Sequence, residues 1–148
     1  MQEKGGFSGF LLFAKQIGDL YAAALADAAG AVGLTKQEAD VLLFLANNPE
    51  LDTASDVAKY RGFSRAYVSK AVEALLGRSL IEVSVAREDR RVQRLLLAPS
   101  AREKAASLQR AQTAFFARMT QGVPQEELSA CAAVLEHMMR NADRIASP

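Results

Sequence analysis

The residues best equipped for chemistry in this 148-residue chain are cations gathered between Lys59 and Arg94. That segment holds Lys59, Arg61, Arg65, Lys70, Arg78, Arg87, Arg90, Arg91 and Arg94 against Glu73, Glu82, Glu88 and Asp89. It therefore carries +5 in a chain whose formal net charge is +1, which leaves −4 on everything else. Guanidinium and ammonium groups concentrated in this way suit phosphate oxygens and the O6/N7 edge of guanine. An evenly spread +1 argues against a nucleic-acid partner; the segmental count reverses that reading.

Other chemistry is sparse. One cysteine, Cys131, excludes a disulfide within the chain, and with one histidine, His137, it excludes most Cys/His metal sites. Oxidant sensing needs an exposed, low-pKa thiol. Cys131 lies on the apolar stripe of the last predicted helix, where burial is expected, so a Cys131-based redox sensor stands only as an alternative. His137 falls beside that stripe near Arg140 and Asn141 and is expected at the surface. No Ser-His-Asp set, glycine-rich phosphate loop or distinctive carboxylate pair points to catalysis. Neither a cofactor nor a metal is expected.

The elements that must position the cations follow from periodicity. Phe7, Phe10, Leu11, Ala14, Ile17, Tyr21, Ala24, Leu25 and Ala28 recur at helical steps, predicting one long helix over about 8–29 that Gly30 and Gly33 end. Its stripe is longer than a small domain covers alone, so a partner surface is expected. Thr35-Lys36-Gln37-Glu38 is a capping box opening a second helix, which stops at Asn47-Asn48-Pro49. Thr53-Ala54-Ser55-Asp56 repeats the spacing and opens a third, to about Tyr60. Gly62 supplies the left-handed turn residue, and Ser64 caps a fourth helix with Val68, Val72, Leu75 and Leu76 facing inward. Ile81, Val83 and Val85 then alternate as a strand, Val92 to Leu97 forms a second, and the charged run Ala86–Arg91 joins them as a hairpin tip. Two more helices follow, divided at Gly122-Val123-Pro124.

Two short helices across a glycine turn, followed directly by a charged hairpin, define a winged helix-turn-helix. The expected fold class is mainly α with a small β-wing. Residues 1–34 are expected to form an N-terminal dimerisation helix, 35–98 the DNA-binding domain, and 99–148 the C-terminal dimerisation helices.

The run Ser55-Asp56-Val57-Ala58, Gly62-Phe63-Ser64, Val68-Ser69-Lys70, Leu75, Leu80-Ile81 and Asp89-Arg90-Arg91 resembles the MarR family of bacterial transcriptional regulators. The likeness extends over nearly the whole chain and includes that family's Asp-x-Arg wing motif at Asp89 and Arg91. It implies a homodimer on a pseudo-palindromic operator, acting as a repressor released by a small ligand or an oxidant. Two places depart from the family pattern. Leu97-Ala98-Pro99-Ser100-Ala101 lacks the Thr and Gly usual after the wing, and the fourth helix carries Ala66 and Tyr67 where small hydroxylated residues are common.

Within that frame the expected DNA-binding residues are Ser64, Arg65, Ala66, Tyr67, Ser69, Lys70, Asp89, Arg90 and Arg91. Arg65 and Lys70 donate to guanine or phosphate, Ser69 approaches a phosphate or base edge, and Ala66 packs on a thymine methyl. Tyr67 either reaches a phosphate through its hydroxyl or buries its ring against the third helix. Arg91 enters a narrow minor groove, held in place by a charge-assisted hydrogen bond that its guanidinium donates to Asp89. Arg87 and Arg90 face phosphate or solvent. Phe10, Phe13, Ile17 and Phe44 are candidate lining residues for a small-molecule effector between the long helices and the winged domain. The competing reading is a winged-helix module for protein–protein assembly that has no operator. The uncharged run Gly5–Ala14 is far short of the roughly 20 residues of a membrane span, and a cytoplasmic protein without a membrane partner is expected.

Overall fold

The computed structural model describes residues 6–147; the first residues of the expected 1–34 segment, and Pro148, lie outside it. In chain order the elements are α1 (Phe7–Ala31), α2 (Lys36–Asn47), α3 (Ala54–Arg61), α4 (Arg65–Gly77), β1 (Ile81–Val85), β2 (Gln93–Leu97), a 3-10 turn at Pro99–Ala101, α5 (Arg102–Met119) and α6 (Gln125–Ala146). The chain divides into two compact units, one up to Thr113 and one from Ala114 onward.

Local chemistry sets the starts and stops in the first unit. The Thr35 hydroxyl accepts the Glu38 N–H at 3.1 Å while the Glu38 carboxylate accepts the Thr35 N–H at 3.0 Å. Thr53 and Asp56 repeat this reciprocal pair at the start of α3. Ser64 accepts the Tyr67 N–H at the start of α4. Each pair satisfies backbone donors that a helix leaves free in its first turn. Gly62 ends α3 at φ 68°, ψ 27°, the left-handed conformation expected of it.

The core of this unit draws Leu25 and Ala29 from α1, Val41 to Leu45 from α2, Val57 from α3, Val68, Ala71 and Leu75 from α4, and Ala105 and Leu108 from α5. Leu42, Leu75 and Leu108 are fully enclosed. Burial of these aliphatic side chains, about 1.5–3 kcal/mol each, is what holds α4 against α2. The helical period misassigns one residue: Leu76 is exposed, and Ala71 occupies the inward position beside Val68 and Leu75. Small Ala71 lets α4 sit close to its neighbours, whereas Leu76 lies on the outer flank.

β1 and β2 pair antiparallel, Ile81 with Leu97 through Val85 with Gln93. The tip spans residues 86–92, one longer than the expected run, because the Ala86 N–H donates to the Val92 carbonyl and closes the loop there. The hairpin is anchored at its base. The Leu95 N–H donates to the Asp52 carbonyl at 2.7 Å, and the Arg94 guanidinium meets the Asp52 carboxylate at 2.8 Å.

In the second unit α6 is amphipathic, but Val134, Leu135, Met138, Met139 and Ile145 are all exposed. Phe7, Leu11 and Leu12 at the start of α1 are exposed in the first unit. No single described helix is long and apolar enough to cross a membrane.

Candidate nucleic-acid interface

Capping by Ser64 and burial of Val68, Ala71 and Leu75 fix both the start and the rotation of α4. Arg65, Ala66, Ser69 and Lys70 are thereby turned to solvent together, at helix positions that share one face. Glu73, one turn further on, is exposed on the same side. The charge count along the chain includes this acid without placing it on the face; its spacing of four from Ser69 was the available signal.

At the wing, Arg87, Arg90 and Arg91 are exposed, Arg91 to 95% of its side chain. Asp89 acts there differently from expectation. Its carboxylate accepts the backbone N–H of Arg91 at 3.0 Å, while the Arg91 Nε stands 3.8 Å away, beyond a good hydrogen bond. Asp89 thus shapes the turn that presents Arg91 and leaves the guanidinium itself free to reach outward.

Three of the nine cations in the segment are committed elsewhere. Arg94 pairs with Asp52, Arg78 donates to both Glu38 oxygens at 3.0 and 3.2 Å, and Arg61 lies 3.6 Å from Asp40. All three acids fall outside residues 59–94, so a count along the chain misses them. Among the described residues, Lys59, Arg65, Lys70, Arg87 and Arg90 have no acidic partner. These five and the outward-facing Arg91 are the cations left available.

Tyr67 is also placed differently. It is half-buried, its ring centroid 4.8 Å from that of Phe63, and its hydroxyl donates to Asp40 of α2 at 2.6 Å. Its hydrogen is therefore committed inside the domain rather than to a phosphate. Burial, then the hydrogen bond and the negative charge of Asp40, hold the phenol protonated well above its ordinary range. Glu38 shows opposing effects: burial raises its pKa, but the Thr35 N–H, Arg78 and the Thr35 hydroxyl outweigh this, and the net shift is downward.

A cavity of about 90 Å³ is lined by residues that include Tyr21, Asp40, Phe44, Asn47, Arg61 and Gln112. Of the four effector-lining candidates only Phe44 borders it; Phe10 and Phe13 are exposed on α1, and Ile17 is half-buried there. Its volume is well below the roughly 300 Å³ at which drug-sized ligand sites begin. Polar groups dominate one wall: Gln112 donates to the Tyr21 hydroxyl at 2.8 Å, and Asn47 donates to Gln112 at 2.9 Å. Cys131 is exposed on α6, contrary to the burial expected of its apolar stripe.

This architecture, a helix-turn-helix with an antiparallel wing and a cationic outer face, is that of the winged-helix DNA-binding proteins. Residues 32–92 match the model of the MarR family. Solved structures extend the likeness of fold beyond that segment. The transcriptional regulator PA3341 is 22% identical at a TM-score of 0.82, over 91% of this chain and 98% of its own. A putative MarR-family regulator from Listeria monocytogenes, complexed with a 26mer DNA, is 15% identical at 0.74, over 86% and 87%. CouR from Rhodococcus jostii RHA1, bound to p-coumaroyl-CoA, is 22% identical at 0.70, over 100% and 97%. The chain has no significant match among curated proteins. Its fold is that of the MarR-family transcriptional regulators.

Proposed function

We propose that this protein is a sequence-specific DNA-binding transcriptional regulator, acting as a homodimeric repressor that a small ligand releases. The observation that carries the reading is the outer face of α4. Arg65, Ala66, Ser69 and Lys70 lie on it together while Val68, Ala71 and Leu75 anchor the opposite face. In this reading Arg65 and Lys70 meet guanine or phosphate, Ser69 meets a phosphate or base edge, and Ala66 meets a thymine methyl. Ser64 places the first turn, where backbone N–H groups suit a phosphate. Arg91 enters the minor groove from a turn set by Asp89, with Arg87 and Arg90 on the phosphates.

The dimer reading rests on the apolar residues that each unit leaves exposed. Contiguous exposed side chains such as Leu135, Met138 and Met139 mark an interaction surface, and a second copy of the chain is the occupant proposed. Residues 1–34 and 99–148 then serve dimerisation, and 35–98 bind DNA. A pseudo-palindromic operator follows from two-fold symmetry. Effector release is supported by the polar cavity beside α2, which would have to widen to admit an effector, and by the ligand bound to CouR.

Fluorescence anisotropy on a random duplex at low salt tests the central claim. Binding that weakens steeply with added salt is expected. No binding under those conditions would overturn the reading in favour of an assembly module. Selection of an operator from random DNA, followed by transcription in vitro from a promoter overlapping it, tests repression; undiminished transcription on a bound template would refute the repressor role.

A further inference from the structure

Lys36 and Asp40 of α2, Arg61 at the end of α3, Phe63 in the turn and Tyr67 of α4 form one cluster that the DNA-binding reading does not use. At its centre is the Asp40 carboxylate, whose side chain is fully buried. Oδ2 accepts from Lys36 Nζ at 2.7 Å and from the Tyr67 hydroxyl at 2.6 Å; Oδ1 has no hydrogen-bond partner and lies 3.6 Å from the Arg61 guanidinium. Around it, the Arg61 guanidinium stands 5.1 Å from the Phe63 ring centroid and Lys36 Nζ 6.0 Å from it, while the Phe63 and Tyr67 rings are in contact. All three helices of the helix-turn-helix thus converge on one carboxylate.

We propose that Asp40 and Tyr67 are positioning residues for DNA recognition: the Asp40–Tyr67 hydrogen bond sets where the outer face of α4 stands relative to α2. This rests on the DNA-binding reading above and deepens it. A buried carboxylate holds its neighbours tightly because leaving it without donors is costly in a low-dielectric interior. Tyr67 lies between Ala66 and Ser69 in sequence but on the inner flank of α4, so this bond holds the first two turns, those that carry Arg65, Ala66, Ser69 and Lys70. Base contacts demand a closely fixed geometry, whereas long cationic side chains reach phosphates from a range of helix positions. Loss of the bond therefore costs discrimination between sequences and spares general affinity for DNA.

The test measures affinity for a selected operator and for a random duplex of equal length, across a salt series, with wild type, Tyr67→Phe, Asp40→Ala, which removes the acceptor, and the double variant. Each single change is expected to weaken operator binding about tenfold, the scale of one hydrogen bond in a buried network. Random-duplex affinity and the salt slope stay at the wild-type values, and the double variant is no worse than the more affected single one. Equal loss on both duplexes with Tyr67→Phe would make Tyr67 a phosphate contact and overturn the proposal, as would additive losses or an unchanged operator affinity. Should Asp40→Ala fail to fold, the operator-to-random ratio of Tyr67→Phe decides alone. Failure of wild type to bind either duplex would instead overturn the DNA-binding reading itself.

Discussion

Asp89 Oδ1 accepts the backbone N–H of Arg91 at 3.0 Å, so the acid of the wing motif acts on its partner's main chain and leaves the guanidinium outside. An Asn at position 89 keeps an acceptor in the same place. Asp89→Asn is therefore expected to bind operator as wild type does, whereas Asp89→Ala loosens the tip and weakens binding without reducing the salt slope. Arg91→Ala removes a cation and lowers both affinity, most on sites with A·T-rich flanks, and slope. Anisotropy titrations at several salt concentrations separate the three. An unchanged slope with Arg91→Ala would take Arg91 out of the interface.

Arg65 and Lys70 share the outer face of α4 but differ in what they can recognise. Arg65 offers a planar fork that bonds guanine bidentately; Lys70 is a point charge suited to phosphate. Arg65→Ala is expected to cost about 1–3 kcal/mol at one base position and to relax specificity there. Lys70→Ala weakens all duplexes alike. Repeating operator selection with each variant shows which pattern holds; uniform loss with Arg65→Ala would make it a phosphate contact.

Much of this frame is legible in the sequence because its signals are local. Thr35 with Glu38, Thr53 with Asp56, and Gly62 each act within a few residues, and each performs its expected role. Pairings across elements are what escape. Arg78 and Glu38 are 40 residues apart, Arg94 and Asp52 are 42, and Tyr67 and Asp40 are 27. A charge count along the chain assigns Arg61, Arg78 and Arg94 to the binding surface, yet folding places an acid beside each. The inward placement of Leu76 fails for a related reason: helical period gives a face, but the neighbours decide how wide the buried stripe is.

Gly62 adopts φ 68°, and a Cβ built on it would meet no atom within 4 Å. The cost of Gly62→Ala is thus backbone conformation alone, about 1–2 kcal/mol. Chemical denaturation should show the midpoint lowered with the slope on denaturant unchanged. A neutral substitution would mean that the turn relaxes to negative φ.

Glu38 is buried, and donors from Thr35 and Arg78 lower its pKa against the opposing effect of burial. A carboxyl that is more acidic folded than unfolded adds stability above its unfolded pKa, and this is lost as pH falls through the folded value. Stability should therefore decline progressively below about pH 4.3, the unperturbed value for Glu. Glu38→Gln should remove this part of the decline, seen as a flatter profile of denaturation midpoint against pH. An identical profile would assign the acid sensitivity to other carboxylates.

Cys131 is exposed on α6 on the same stripe as Leu135 and Met138, which makes its thiol a reporter of what covers that face. If a second copy packs there, the thiol reacts readily with a water-soluble disulfide reagent at low protein concentration and slowly at high concentration. The transition should coincide with the dimer–monomer midpoint from sedimentation. Leu135→Glu places a charge within the stripe, which should favour the monomer and keep the thiol fast at every concentration. A rate independent of concentration in wild type, alongside a dimer in sedimentation, would mean that the copies meet on another surface. Peroxide separates this from redox control: if oxidant releases DNA from wild type but not from Cys131→Ser, the thiol is a sensor as well as a reporter.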